Sequence, residues 1–299
     1  MQYQRLSRRA FLHHGTLVIS AFAASPFAFA ETEKLILRIG LLTDIHYADK
    51  EHNGTRYYRE SPEKIVAAAA EFGKQRIDFL VELGDLIDAV YEPETNKKHL
   101  RTIDAELQKI SDKRYYVFGN HDLERLTKDE FLREVGQEKS YFSFDRNGYH
   151  FVILDACFRQ DGTEYSRDNP YQWTDTKLPD VELDWLEADL AVTKLPSVIF
   201  LHQRLDVENR EPIAVKNSDI VRQLLEKSGK VRLVLQGHEH WGGYKEIGEI
   251  PYCTLSAVIE GSGKQNNSFS FLEITETGNF HLHGFLKQKS REFRNSSEL

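Results

Sequence analysis

The 299-residue chain contains only two cysteines, Cys157 and Cys253, too few for a disulfide-built scaffold. Both stand beside apolar stretches, Ile153-Leu154-Asp155-Ala156 and Pro251-Tyr252, where buried free thiols are expected, a disulfide between them being the alternative, and a chain this long needs no bridge to fold. The shortage of thiolate also argues against a structural zinc site. No segment rich in proline, glycine or serine divides the chain, and no internal repeat is present, so one domain is the economical reading. Basic residues are outnumbered, 39 Lys and Arg against 47 Asp and Glu, for a formal charge of −8. Such a surface repels long polyanions, which excludes a nucleic-acid polymer as the expected partner; a phosphate-bearing substrate must be small or drawn in by a local cation. With 40% hydrophobic and 29% charged residues, the remaining composition is that of an ordinary globular protein.

A long apolar run is missing too. The one candidate begins near Thr16 and is interrupted by Ser20, Ser25 and Pro26, short of the roughly 20 residues a membrane span needs. It follows Arg8-Arg9 and closes on Ala28-Phe29-Ala30, the form of a twin-arginine export signal with a small-x-small cleavage site. Residues 1–30 are therefore expected to be removed, leaving no membrane anchor and a periplasmic or extracellular protein. Loss of their three arginines takes the formal charge from −8 to −11.

Along the rest of the chain, apolar runs and helical spacing alternate. Leu35 to Leu42 reads as a buried strand, and Ser61-Pro62-Glu63 opens a helix to about Gln75, with Ser61 as its N-cap. Strands follow at Ile77 to Leu83 and Arg114 to Phe118, with helices from about Asn96 to Ile110 and Lys128 to Val135. Tyr141 to Phe144 and Tyr149 to Leu154 flank Asn147-Gly148, a hairpin signal. Gln160 to Leu178 reads as a long loop. Helices at Val181 to Leu190 and Ser218 to Glu226, ended by Gly229, enclose a strand at Ser197 to Leu201. A strand at Val231 to Leu235 follows, then three more at Tyr252 to Val258, Ser268 to Ile274 and Phe280 to Phe285. The expected domain covers 31–286, and residues 287–299 are expected to form a flexible tail.

What is abundant is metal-ligand chemistry at the ends of these strands. Asp44 and His46 follow the first strand, Asp85 the second, Asn120 and His121 the third, His202 the strand at Ser197, and Gly237-His238-Glu239-His240 the strand at Val231. Ligands at strand ends suit the carboxyl edge of an α/β sheet. Mixed carboxylate, imidazole and amide donors favour manganese, iron or zinc. A metallo-lactamase-like hydrolase would need a His-x-His-x-Asp-His run, and none is present.

Taken in order, Asp44-Ile45-His46, Gly84-Asp85-x-x-Asp88, Gly119-Asn120-His121-Asp122, His202 and Gly237-His238-Glu239-His240 resemble the calcineurin-like metallophosphoesterases. The resemblance implies an α/β fold, a four-layer α-β-β-α sandwich of two mixed sheets. It also implies two divalent or trivalent ions, one held by Asp44, His46 and His240 and the other by Asn120, His202 and His238, with Asp85 between them. The expected reaction is hydrolysis at phosphorus by a hydroxide the ions share, in line with the leaving oxygen. His121, supported by Asp88, is implied as the acid for that oxygen, the alternative being a histidine that only braces the ligands. Purple acid phosphatases are disfavoured, because Asp88 stands where they carry a metal-binding tyrosine.

Shorter strings, Tyr57-Tyr58-Arg59-x-Ser61, Leu154-Asp155-Ala156, Gly242-Gly243-Tyr244 and Val258-Ile259-Glu260-Gly261, look like the manganese-dependent ADP-ribose/CDP-alcohol diphosphatases. They imply a small nucleotide conjugate cleaved at its pyrophosphate; a phosphomonoesterase or a cyclic-nucleotide phosphodiesterase is the alternative. Some members have glutamine where His46 stands, so the metal preference is less firmly carried over. Tyr58 and Arg59 either stack a base and hold a phosphate or form a surface-packed lead-in to the helix.

Overall fold

The computed structural model describes residues 33–294; the expected export signal at 1–30 lies outside them. Strand β1 (Leu35–Leu42) is followed by helix α1 (Ser61–Gln75), β2 (Phe79–Glu82), α2 (Pro93–Gln108), β3 (Arg114–Tyr116) and α3 (Lys128–Val135). Hairpin β4 (Phe142–Arg146) and β5 (Tyr149–Ile153) leads to α4 (Asp180–Val192), β6 (Ser197–Phe200), α5 (Ser218–Ser228) and β7 (Val231–Gln236). Strands β8 (Trp241–Ile247), β9 (Ile250–Ser256), β10 (Ser268–Thr275), β11 (Phe280–Leu286) and β12 (Arg291–Phe293) complete the order.

These strands form two six-stranded sheets, ordered β12-β11-β10-β1-β2-β3 and β4-β5-β6-β7-β9-β8. Both are mixed. In the first, β1, β2 and β3 run parallel while β10 is antiparallel to β1; in the second, β5, β6, β7 and β9 run parallel. The central parallel strands bury residues on both faces, which is why they read as near-continuous apolar runs. Ile39, Leu41, Phe79 and Val81 of the first sheet meet Phe151, Ile153, Phe200 and Leu235 of the second in one apolar layer. Outside it, Ile65, Phe72, Leu100, Ile103 and Phe131 seat α1, α2 and α3 on the first sheet. Leu186, Leu190, Val221 and Leu225 seat α4 and α5 on the second. The four expected layers are present, and the described chain from Lys34 is one compact unit.

Three local expectations change. Ser61 is not the N-cap of α1 but lies inside it: the preceding Glu60 holds that position, and the Ser61 hydroxyl donates to the Ile45 carbonyl at 2.6 Å. Strand β8 carried no apolar signal because it is an edge strand with an exposed face, paired only to β9. The expected flexible tail is ordered from 287 to 294: β12 pairs with β11, and Phe293 is buried in the layer between the sheets. Its three residues are too few to show a period. The hairpin turn is as expected, with Asn147 at φ +48° and Gly148 at +81°, the conformation that matches strand twist. Cys157 and Cys253 are both buried and unbridged.

Candidate metal centre

Five of the parallel strands, β1, β2, β3, β6 and β7, run into turns that carry the expected ligand residues. Asp44, His46, Asp85 and His238 all have φ between +47° and +70°, a region side-chain-bearing residues seldom occupy. Backbone strain of order 1 kcal/mol or more at each position is thus concentrated where five strands meet. Glycines make the approach possible. A Cβ on Gly119 would lie 2.1 Å from the Asp85 nitrogen and 2.2 Å from its Oδ1, so the loops after β2 and β3 touch only because no side chain intervenes.

The expected residues converge. Ligand atoms of Asp44, His46 and His240 lie within 4.8 Å of one another, as do those of Asp85, His202 and His238, and those of His46, Asp85 and His121. Nε2 of His46 faces Nε2 of His240 at 3.3 Å, and Nε2 of His202 faces Nδ1 of His238 at 3.2 Å. Asp85 Oδ2 stands 3.1 Å from His202 and 3.5 Å from His46, joining the two groups. Asp44 Oδ1 and Asn120 Oδ1 are buried without a hydrogen-bond partner. Buried polar atoms without partners are costly. Paired imidazole nitrogens beside the Asp44 and Asp85 carboxylates, with no thiolate in the set, fit hard or borderline cations, and the partnerless Asn120 oxygen is available as a further donor.

The surrounding groups fix these rings. His202 Nδ1 bonds the Leu83 carbonyl at 2.8 Å, which leaves Nε2 for the centre. Burial disfavours the charged His202, but Asp85 outweighs it and raises the imidazole to about 9. His240 is likewise pushed down by burial and carried up to about 9 by Asp44 and Glu260. His238 has burial and the neighbouring His202 against it and falls to about 3. Cations binding here therefore displace protons from His202 and His240.

His121 sits at the rim, its ring edge-on to His46 at 4.7 Å between centroids. Burial lowers its pKa, but Asp85, Asp88 and Glu124 together raise it well above the ordinary value. Asp88 is shared more widely than the sequence suggested. Its Oδ1 accepts from Lys50 Nζ at 2.6 Å, its Oδ2 faces His46 Nδ1 at 3.2 Å, and His121 Nδ1 is 3.7 Å away. Glu124 is nearer to His121 Nδ1, at 3.0 Å.

Tyr58 and Arg59 are both engaged by other parts of the chain. Tyr58 is 4% exposed, packed with Ala48, Ala257 and Ile259, and covered by Lys50 Nζ 4.3 Å above its ring. Its face is not open to a base. Arg59 is exposed, with its guanidinium engaged by Asp49 and Glu51.

Three groups beside the centre had no role assigned from the sequence, although Asp122 and Glu260 stand in strings that carry the family resemblance. Asp122 accepts from the backbone nitrogens of Asp85, Ile87 and Gly119 at 2.9–3.1 Å, tying two ligand loops together; its place beside His121 was the available signal. Glu260 accepts from His240 Nδ1 at 2.5 Å, the carboxylate behind a ligating histidine that sets ring orientation and basicity. Its segment is fixed in turn by the buried Lys64, which donates to the carbonyls of Val258 and Gly261 at 2.7 Å. Trp173, from the long loop, meets the His238 ring at 5.5 Å. No spacing links Glu260 or Trp173 to the ligands.

Comparison with known proteins agrees with this geometry. The model of the calcineurin-like phosphoesterase family matches residues 37–242. A manganese-dependent ADP-ribose/CDP-alcohol diphosphatase of Danio rerio is 24% identical, over 76% of this chain and 89% of that protein. A protein of the same name from Arabidopsis thaliana is 21% identical, over 87% of this chain and 97% of its own. Among solved structures, a dimetal phosphatase from Danio rerio superposes with a TM-score of 0.74 at 21% identity, covering 88% of this chain and all of that one. The chain belongs to the calcineurin-like phosphoesterase family and is a metal-dependent hydrolase of phosphoric esters or anhydrides.

Proposed function

We propose that the chain cleaves the pyrophosphate of a small nucleotide conjugate of the ADP-ribose or CDP-alcohol type, with manganese the first metal to try. The observation that carries this is the convergence of two ligand groups on Asp85. In this reading Asp44, His46 and His240 would hold one ion and Asn120, His202 and His238 the other, with Asp85 lying between the two groups. The substrate type comes from the names of the similar proteins, two of which align over most of this chain.

Bound at these positions, divalent ions supply positive charge to both the entering and departing oxygens of an in-line displacement. The chain's own residues do the rest. His121, held charged by Asp85, Asp88 and Glu124, donates a proton to the departing oxygen. Lys50 and Asp88 keep His46 in place. Asp122 and the Leu83 carbonyl hold the Asp85 loop and the His202 ring, so little reorganisation remains for the moment of reaction.

The test is a screen of manganese-loaded protein against ADP-ribose, CDP-choline, cyclic AMP and nitrophenyl phosphates. Turnover of the first two, with phosphate on both products, is expected. Turnover confined to phosphomonoesters or to cyclic AMP overturns the substrate assignment.

We propose further that residues 1–30 direct twin-arginine export of the folded protein, its ions already in place. Export of a reporter fused to Met1–Ala30 that persists without the twin-arginine machinery would contradict this.

A further inference from the structure

The loop between β5 and α4 is long, yet it is built rather than slack. Tyr165 and Tyr171 stack face to face, 3.8 Å apart and 3° from parallel. The Tyr165 hydroxyl donates to the Asp175 carbonyl at 2.7 Å, and Tyr171 donates to the carbonyl of Asn120. The Asp175 nitrogen closes a turn on the Gln172 carbonyl at 2.8 Å. Between these anchors stands Trp173, 43% exposed, its ring tilted 56° to that of His238 at 5.5 Å. A large aromatic surface is thus held open at the border of the metal centre by a loop tied to a ligand-bearing residue.

We propose that Trp173 is a specificity-determining residue, an indole platform for the base of the nucleotide half of the substrate. This rests on the nucleotide-conjugate reading above and goes beyond it by naming where the base is recognised. A phosphate held at the centre leaves the rest of the molecule extending over its border, where Trp173 offers a flat π face and no charge. Stacking on an aromatic side chain tolerates any base, which suits an enzyme accepting both adenine and cytosine conjugates. The anchored loop orders the indole before binding, so little conformational entropy is lost when the base arrives.

The test uses the full, manganese-loaded protein and two ligands that differ only in the base, AMP and ribose 5-phosphate, titrated by calorimetry. Wild type is expected to bind AMP about tenfold or more tighter than ribose 5-phosphate, the range aromatic stacking supports. Trp173→Ala should bring AMP to within about twofold of ribose 5-phosphate while the affinity for ribose 5-phosphate stays unchanged, and Trp173→Phe should restore part of the difference. Equal binding of the two ligands by wild type, or an AMP preference surviving in Trp173→Ala, overturns the proposal. Should the alanine variant not fold, wild type and Trp173→Phe decide it, since an undiminished preference in Trp173→Phe also counts against the platform. A parallel assay with ADP-ribose separates the two readings: no hydrolysis with a Trp173-dependent AMP preference removes the diphosphatase assignment and leaves the platform.

Discussion

Changing Glu260 to glutamine removes one charge from behind a ligand and leaves the shape intact. Glu260 accepts from His240 Nδ1 at 2.5 Å. Burial alone would raise this carboxyl, but the His240 and Thr55 hydrogen bonds draw it down to about 2. A hydrogen bond to a charged group contributes about 1.5–3 kcal/mol, and a neutral one about 0.5–1.5. Glu260→Gln keeps an acceptor oxygen, so the loss is the difference, about 1–1.5 kcal/mol, or roughly tenfold in affinity for the ion that His240 ligates. That matches the lower end of the 10–100-fold typical for groups orienting metal ligands. Isothermal titration of chelator-stripped protein with Mn²⁺ should resolve two sites, one weakened about tenfold and the other within twofold of wild type. Urea midpoints of the stripped proteins separate ligation from folding. Two unchanged affinities would refute the role given to Glu260, and equal weakening of both would refute the division of ligands into two groups.

Further outcomes follow from other parts of the site and fold. Gly119→Ala places a methyl 2.1 Å from the Asp85 nitrogen; an overpacking cost of about 1–3 kcal/mol should displace Asp85 and drop bound manganese well below two ions per chain, by elemental analysis, with the circular dichroism of wild type. His121→Ala should slow substrates with poor leaving groups far more than nitrophenyl esters, and equal losses would remove it from the acid role. His150 lies between Asp145 and Asp189 at 2.6 and 2.7 Å; burial lowers its pKa, but these carboxylates raise it above 6.5. Its contribution is full below about pH 6.5 and fades as pH rises through the raised folded value, while Asp189, whose pKa is lowered, withdraws its share in acid. The melting difference between wild type and His150→Gln should therefore be largest near pH 5–6 and shrink at alkaline pH; a difference growing with pH would contradict this.

Much of the architecture was legible because buried parallel strands must be apolar on both faces, and β1, β5 and β7 announce themselves that way. The candidate ligands were legible because they follow those strands directly: strand order sets Asp44, Asp85 and Asn120 along one edge of the first sheet and His202 and His238 along one edge of the second, and the apolar layer between the sheets brings the two edges together. Strand β8 was hidden by its exposed, polar residues, and β12 by its brevity. Glu260 and Trp173 were hidden for a different reason: each reaches the centre through packing, Glu260 by way of Lys64 and Trp173 through the Tyr165–Tyr171 stack. For Tyr58 the sequence left two readings open, a base contact or a packed lead-in to α1, because an aromatic beside an arginine does not announce that Lys50 covers its ring. Periodicity reports which face a residue occupies, not what lies against it.

The most direct test of the dinuclear centre is a crystal of the protein soaked in Mn²⁺ and measured for anomalous scattering. Two peaks about 3.5–4 Å apart, one among Asp44, His46 and His240 and one among Asn120, His202 and His238, with Asp85 touching both, are the predicted result. A single peak, or two that share no carboxylate, would contradict the account.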